Sequence, residues 1–326
     1  MTDFPLAPDA LSDEVRREPL RLGFGRGLLE AGRRDASVMA LCADLTDSTQ
    51  MSLFLDAFPE RFVEVGIAEQ NLATVAAGMA RAGKIPFTSS YAAFSPGRNW
   101  EQIKTTACLN QLPVKVVGSH AGLITGQDGA THQMLEDIAL MRVLPGMVVV
   151  CPGDSIEAEK ATVAIAGNGS PSYLRLAREG TPVFTTAESP FELGRAYLLR
   201  EGGDVTLAGT GTMTYELLVA AEELASAGIS AEVLHVPTVK PLDADTILAS
   251  AAKTGLVVTA EEAQIAGGFG SAVAELLADR APTRLLRLGV QDRFGESGLP
   301  RELLEHFGLT GTGLAARIGP FVRDAA

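Results

Sequence analysis

The sequence has few of the residues that mark several protein classes. It contains 3 cysteines, Cys42, Cys108 and Cys151, with no CxxC pair, so neither a disulfide framework nor a thiolate zinc site is indicated. Basic residues are outnumbered, since 27 Lys and Arg against 40 Asp and Glu give a formal net charge of −13. A field of that sign repels nucleic acid and anionic membranes, so neither is expected as a partner.

Long apolar runs are also missing. The richest stretch, 139–151, is interrupted by Arg142 and Pro145 and is too short to span a bilayer. The first twenty residues are acidic and contain prolines, without the basic and apolar segments of a secretory signal. We therefore expect a protein of the reducing cytoplasm.

What the sequence does contain is a globular composition, with 46% hydrophobic and 21% charged residues. At roughly 150 residues per domain, 326 residues predict about two domains. Short β-branched runs alternate with helical patterns, which indicates parallel sheets covered by helices on both faces. We predict two parallel-sheet α/β domains, 15–185 and 193–326, joined by a proline-containing linker around 178–193.

The predicted elements follow from hydrophobic periodicity and from capping signals. Ser155 is expected to be the N-cap of a helix, and Gly83 to end another one as its C′ residue. Strands are expected at 37–45, 84–90, 114–120, 147–154, 172–177, 205–211, 231–237, 255–261 and 283–290. Helices are expected at 70–82, 100–110, 155–166, 215–227, 244–252, 271–278 and 300–307.

Two segments place polar residues at strand ends, where α/β sheets build their sites. In the first, 62–83, Glu69 opens a helix of small and apolar residues. An acid in a first helical turn is usually a dipole complement, but this helix is expected to be buried, and a buried carboxylate needs a partner.

The second segment is the loop 118–137, which holds half of the chain's 4 histidines. His120 and His132 flank Asp128 and several glycines. Their spacing does not match a helix-borne zinc site, and no third ligand is apparent, so no metal bound by this chain alone is predicted.

These segments, in this order, resemble the transketolase family over about residues 20–320. GIAEQN (66–71) resembles the family's catalytic glutamate motif, and GQDGATHQ (126–133) resembles its GEDGPTHQ loop. Further matches are LRLGFGRGLLEAG (20–32), CADLTDST (42–49), SSYAAFSPGRNWEQI (89–103), SYLRLAREGTP (172–182), VPTVKPLD (236–243) and AGGFGSAVAE (266–275).

The resemblance implies a thiamine diphosphate enzyme. Glu69 would hydrogen-bond the aminopyrimidine ring, Phe94 would stack on it, and Tyr91 and Asp44 would lie nearby. His120 would contact sugar hydroxyls, and His132 would stabilise an oxyanion or transfer protons.

The resemblance also assigns substrate contacts. Arg21, Ser48 and Arg178 match positions that bind the substrate phosphate, which suits a guanidinium because two parallel hydrogen bonds form. Arg98 is a further candidate, and Asp128, like His120, would bind sugar hydroxyls. The sequence departs from the family pattern at two positions that affect the shape of the pocket. Gly97 lies where many transketolases have a third aromatic residue, and Ala121 lies where they usually have an acid after the first histidine.

The sequence has no GDG-to-Asn unit, the family's motif for the magnesium diphosphate, and it has about half the length of a complete transketolase. The resemblance therefore implies the C-terminal subunit of a split transketolase. It would be inactive alone and would transfer ketol units between pentose and other sugar phosphates in an α2β2 heterotetramer. A separate N-terminal subunit would hold most of the Mg²⁺ and diphosphate contacts.

Three alternatives stay open. A β subunit of a thiamine-dependent 2-oxoacid dehydrogenase has similar length, and half of a deoxyxylulose-phosphate synthase shares GIAEQ and THQ. GQDGATHQ and the phosphate-contact residues favour ketol transfer over the first, and the ADLT loop with Ser48 favours it over the second. A non-catalytic regulatory binding protein is the third alternative, because GTGTM (209–213) and GGFG (267–270) resemble phosphate-binding turns.

Overall fold

The computed structural model describes residues 4–325. Residues 4–185 form most of one sheet and its helices. The strands here are β1 (Arg17–Pro19), β2 (Val38–Cys42), β3 (Phe62–Glu64), β4 (Ile85–Tyr91), β5 (Lys115–Ser119), β6 (Val148–Val150), β7 (Ser172–Arg175) and β8 (Gly180–Pro182). The helices are α1 (Leu20–Arg34), α2 (Ser52–Ala57), α3 (Glu69–Arg81), α4 (Trp100–Gln102), α5 (Asp137–Arg142) and α6 (Ser155–Ala166). Shorter turns are 3₁₀ at Pro59–Arg61 and Leu123–Asp128, and a π-helix at Ile103–Cys108 continues α4.

The second part of the chain repeats the α/β alternation. Its strands are β9 (Tyr197–Arg200), β10 (Val205–Gly209), β11 (Ala231–His235), β12 (Thr238–Lys240), β13 (Leu256–Gln264) and β14 (Arg284–Val290). Its helices are α7 (Met213–Ser226), α8 (Ala244–Thr254), α9 (Phe269–Arg280), α10 (Pro300–His306) and α11 (Gly311–Arg323). Residue 326, the expected end of the second domain, and residues 1–3 of the N-terminal stretch lie outside the described residues.

The predicted α/β class is confirmed, and both main sheets are mainly parallel. The first sheet has the order β12-β6-β7-β5-β4-β2-β3, and the second has the order β14-β13-β10-β11-β9. Each sheet also has one antiparallel edge strand, β12 in the first and β9 in the second. Strand β12 comes from the second half of the sequence and pairs with β6, so the two halves share a sheet.

Two local predictions need correction. The expected linker 178–193 begins with β8, which pairs antiparallel with β1, and residues 181–185 are buried. The N-cap of α6 is Asp154 rather than Ser155. Asp154 Oδ1 accepts from Glu157 N at 3.0 Å, while Oδ2 accepts from the N–H groups of Phe184 and Thr185. The Asp154 carboxylate therefore caps helix α6 and also hydrogen-bonds the segment that was expected to be a linker.

Helix α1 packs against α6 at very short range because glycine lies in the contact. A Cβ atom on Gly23 would lie 1.8 Å from the Ser155 carbonyl oxygen. Helix α1 also buries Leu20, Phe24 and Leu28 in an apolar cluster that includes residues of α6 and of the first sheet. Within residues 4–325, none of the helices has the length and apolar character needed to cross a membrane.

Candidate active site

The polar segments picked out in the sequence meet at the carboxyl edge of the first sheet. In a parallel sheet the strand ends lie side by side, and ligands bind in the crevice beyond them. Strands β2, β4, β5 and β7 are consecutive neighbours here. Their ends lead into the residues around Asp44, Tyr91, His120 and Arg178. The topology thus gathers side chains that are far apart in sequence.

Glu69 is the first residue of α3 and is 6% exposed, as expected for this helix face. Its Oε1 atom lies 3.2 Å from Arg98 Nη1. Its backbone carbonyl accepts from Asn99 Nδ2 at 2.8 Å. The buried carboxylate therefore has the ionic partner that its burial requires. Asn99 is itself buried, and its Oδ1 atom has no partner among the described residues.

Four aromatic rings lie together beside Glu69. Tyr91 stacks on His120 with ring centroids 3.8 Å apart and on Phe94 at 5.8 Å. His132 meets Phe94 edge-on at 5.4 Å. The Arg98 guanidinium lies 4.2 Å from the Phe94 ring centroid. Arg98 therefore contacts both the carboxylate and the ring expected to hold a pyrimidine.

His120 is fully enclosed and held in an unusual backbone conformation. It is 1% exposed and has φ of 56°, a left-handed value that a non-glycine residue seldom adopts. Its Nδ1 lies 2.8 Å from Ser119 Oγ, and its carbonyl accepts from Thr125 Oγ1 at 2.7 Å. Burial, reinforced by the positive charges of Arg21 and Arg178 and by His132, lowers the pKa of His120 to about 3. The ring is therefore neutral near pH 7.

Arg21 and Arg178 supply positive charge close to His120. Arg21 Nη1 donates to the carbonyl of Ser48 at 2.8 Å. Arg178 Nη1 donates to the carbonyl of Thr125 at 2.8 Å and lies 3.6 Å from Asp128 Oδ2. The structure thus brings Arg21 and Ser48 together, and likewise Arg178 and Asp128.

Asp44 lies at the end of β2 on the exposed side of the site. Its φ is 59°, and its N–H donates to Glu64 Oε1 at 2.8 Å. Glu64 also accepts from Gly66 N and from Thr46 Oγ1. One carboxylate therefore joins the ADLT and GIAEQN loops. Glu64 was not among the predicted site residues, although its position just before GIAEQN could have indicated it.

The glycine-rich loop that carries Asp128 and His132 is held by hydrogen bonds within the loop and by one to the segment that follows β14. Gln133 Nε2 lies within hydrogen-bonding distance of the carbonyls of Leu123, Gly126 and Glu296. Glu296 belongs to the segment after β14, so the second half of the chain contributes directly to the loop's position. Gln133 was also missed as a functional residue, because its partners are set by the tertiary structure.

The two departures from the family pattern have local packing reasons. A Cβ atom on Gly97 would lie 2.1 Å from the carbonyl oxygen of Ala93, so this backbone leaves no room for a side chain there. Ala121 is fully buried and packs with Ala92 and Met134. The local backbone of this chain therefore excludes a side chain at position 97, and Ala121 fills a buried apolar contact.

Comparison with known proteins supplies the family. The pyrimidine-binding domain of transketolase matches residues 19–183, and the transketolase C-terminal domain matches residues 194–314. This chain belongs to the transketolase family. A 6-deoxy-6-sulfo-D-fructose transketolase subunit, SqwH, from Clostridium sp. (strain MSTE9) is 47% identical over 283 residues, covering 87% of this chain and 88% of that protein.

Two further comparisons place this transketolase-family chain among C-terminal sections. A putative transketolase C-terminal section from Methanocaldococcus jannaschii is 43% identical over 302 residues, covering 92% of this chain and 95% of that protein. A solved structure described as a split-gene transketolase, an inactive β4 tetramer, superposes with a TM-score of 0.86 at 45% identity and covers 91% and 96% of the two chains. Deoxyxylulose-phosphate synthases also match, but over less than half of their own length. The chain thus corresponds to the pyrimidine-binding and C-terminal domains of transketolase, and it is similar over nearly its whole length to proteins described as C-terminal sections.

The residues present fit one half of a thiamine diphosphate site. A buried carboxylate beside an aromatic face is the donor set for an aminopyrimidine, and the unpartnered Oδ1 of Asn99 marks unused hydrogen-bonding capacity there. Among residues 4–325, no group of three or more His, Cys, Asp or Glu side chains is arranged to hold a metal ion.

Proposed function

We propose that this chain transfers two-carbon ketol units together with a separate N-terminal subunit, in a cytoplasmic α2β2 assembly, and that it is inactive alone. The observation that carries the proposal is the grouping of Glu69, Phe94, His120 and His132 at one sheet edge. The partner would supply the Mg²⁺ and diphosphate contacts, for which this sequence has no GDG-to-Asn unit. The match to a putative transketolase C-terminal section covers 95% of that protein, which supports a two-chain enzyme.

Thiamine diphosphate, when bound, supplies the carbon nucleophile that accepts and releases the ketol unit. Glu69 holds a proton at a ring nitrogen of the aminopyrimidine, and Phe94 orients the ring by stacking. Arg98 contacts Glu69 Oε1 and the Phe94 ring, so it borders both groups that take these roles. We therefore place Arg98 at the cofactor side of the site, as well as among the candidate substrate contacts.

The two histidines take different roles because their surroundings differ. His120 is buried and neutral at pH 7, so it hydrogen-bonds a sugar hydroxyl without carrying charge. His132 is partly exposed, with Nδ1 2.9 Å from Thr131 Oγ1, and it moves a proton at the sugar oxygen. Asp128 binds a second hydroxyl, and Tyr91 and Asp44 shape the wall of the pocket.

Arg21, Ser48 and Arg178 bind the terminal anion of the ketose. A guanidinium forms parallel hydrogen bonds to tetrahedral oxyanions, and phosphate and sulfonate present similar oxygens. The relative that bears a sulfosugar in its name makes a sulfonate-bearing ketose a candidate substrate beside pentose phosphates. Arg178 would exchange its contact with Asp128 for the substrate.

The test is a ketol-transfer assay on this chain alone and on the chain with a candidate N-terminal subunit, with thiamine diphosphate and Mg²⁺. Xylulose 5-phosphate and 6-deoxy-6-sulfofructose serve as donors and ribose 5-phosphate as acceptor. Activity only in the pair is expected. Formation of deoxyxylulose phosphate from pyruvate and glyceraldehyde phosphate in place of ketol transfer would instead establish the synthase alternative.

Glu69→Gln in the active pair should lower turnover by roughly two to four orders of magnitude, the usual scale for a proton-transfer group. Glu60→Gln is the matched control, because Glu60 has a 70% exposed side chain away from the sheet edge. Circular dichroism should show that both variants keep the fold. Wild-type turnover in Glu69→Gln would contradict the assignment.

A further inference from the structure

One buried carboxylate of the second sheet reaches into the glycine-rich loop. Glu262 lies on β13 and is 2% exposed. Its Oε1 atom accepts from Ile124 N at 2.6 Å, and its Oε2 atom accepts from Thr212 Oγ1 at 3.1 Å. Its backbone carbonyl accepts from Arg175 Nη2 at 2.9 Å. The residue therefore joins strand β7, the loop and the start of α7.

The contact at Ile124 lies one residue from the point where the loop holds the site. Thr125 Oγ1 donates to the carbonyl of His120, and the Thr125 carbonyl accepts from Arg178. A shift of the backbone at Ile124 would therefore move Thr125, which hydrogen-bonds both His120 and Arg178. Glu262 touches neither of these residues, so its influence is exerted through the loop backbone.

The loop is also packed tightly against Glu262 at Gly122. A Cβ atom on Gly122 would lie 2.4 Å from Glu262 Oε1, so the backbone passes close to the carboxylate. Gly122 has φ of 86°, a conformation that glycine adopts without strain. The absence of a side chain at Gly122 therefore allows the loop backbone to lie close to the Glu262 carboxylate.

The charge of Glu262 is costly to the fold. Arg175 already pairs with Asp137, with Nε 2.9 Å from Oδ2. Burial, with a smaller contribution from Asp137, raises the pKa of Glu262 to about 7 although Arg175 opposes the shift. A buried charge of this kind is weak evidence for a purely stabilising role.

We propose that Glu262 is a positioning residue of the ketol-transfer site, which fixes the Ile124 backbone and through it the placement of His120 and Arg178. The effect on ketol transfer depends on the proposed function, whereas the effect on the loop does not. The second sheet is accordingly part of the active-site architecture.

Four variants distinguish the effect of the length of the Glu262 side chain from the effect of its charge. Glu262→Gln keeps an oxygen acceptor at the same length without the charge, and Glu262→Asp keeps the charge but shortens the side chain by one carbon. Glu262→Ala removes the acceptor. Glu261→Gln is the matched control, because the neighbouring Glu261 is equally buried but accepts from Phe269 N and Gly270 N at the start of α9.

The first readout is amide hydrogen exchange of the peptide spanning 122–128 in the full chain. Glu262→Ala and Glu262→Asp should increase its exchange by about 10–100-fold, the scale for leaving the buried Ile124 N–H without an acceptor. Glu262→Gln and Glu261→Gln should stay near wild type. Unchanged exchange in Glu262→Asp and Glu262→Ala would overturn the proposal whether or not the enzyme transfers ketol units.

The second readout is kcat/KM for an anionic ketose in the complex with the N-terminal subunit. Glu262→Asp should lose about 10–100-fold, and Glu262→Gln should recover most of this, because reach and not charge is required. A variant series in which Asp is active and Gln is not would overturn the positioning role. If wild type transfers no ketol unit with any donor, the proposed function fails, and the exchange experiment still decides the loop contact. If Glu262→Ala does not fold, the Asp and Gln variants carry both tests.

Discussion

The burial of His120 predicts a specific dependence of stability on pH. An imidazole has a pKa of about 6.5 in an unfolded chain, and in the folded chain the pKa of His120 is about 3. Because the folded pKa is the lower one, the unfolded chain binds the proton more readily. The stabilising contribution of a neutral His120 is therefore fully present above about pH 6.5 and is lost as pH falls from there towards 3.

The size of the effect follows from the same two values. At pH 5 the unfolded histidine is protonated and the folded one is not. This pH lies about 1.5 units below the pKa of the unfolded histidine. At 1.36 kcal/mol per unit, wild type should lose about 2 kcal/mol at pH 5 through this residue alone. Glutamine binds no proton in this range, so His120→Gln should lack this loss.

The assay is urea denaturation of wild type and His120→Gln at pH 7.5 and pH 5, at one protein concentration. The difference in free energy of unfolding between the two proteins should change by about 2 kcal/mol between the two pH values. Thr125→Val is the control, because it removes the hydrogen bond to the His120 carbonyl without removing a titrating group. An equal difference at both pH values would refute the conclusion that burial keeps His120 neutral.

Two further variants test the anion contacts and the packing. Arg178→Ala should weaken transition-state binding of a phosphorylated or sulfonated ketose by about 1–3 kcal/mol, because a charge-assisted hydrogen bond is lost. An equal fall in kcat/KM with a ketose that lacks the anion would contradict this role, and the exposed Arg34→Ala is the control. Gly23→Ala should destabilise the chain by about 1–3 kcal/mol or more, because its Cβ would overlap the Ser155 carbonyl. An unchanged thermal midpoint would show that α1 and α6 can move apart without a cost in stability.

Much of the fold follows from local pattern. Apolar runs alternating with helical periodicity predicted most strands, the parallel order and the burial of the Glu69 helix face. The motifs GIAEQN and GQDGATHQ located the two loops that meet at the sheet edge, since strand ends of a parallel sheet converge there. Both observations depend on residues close together in the chain.

The rest depended on contacts between distant residues. Strand β12 joins the first sheet from the second half of the sequence, and nothing in Thr238–Lys240 indicates which sheet it completes. Asp154 is preferred to Ser155 as N-cap because its second oxygen also binds the N–H groups of Phe184 and Thr185.

Local sequence patterns were enough to predict the α/β class, the two site loops and the residue types that we propose to hold a pyrimidine and an anion. Three contacts came from packing between distant segments: Arg98 with Glu69, Arg178 with the Thr125 carbonyl, and Glu262 with the loop at Ile124. The physical reason is that local propensity acts over a few residues. The partner of a buried charge is chosen by which side chains the packed sheets bring within about 3 Å of it.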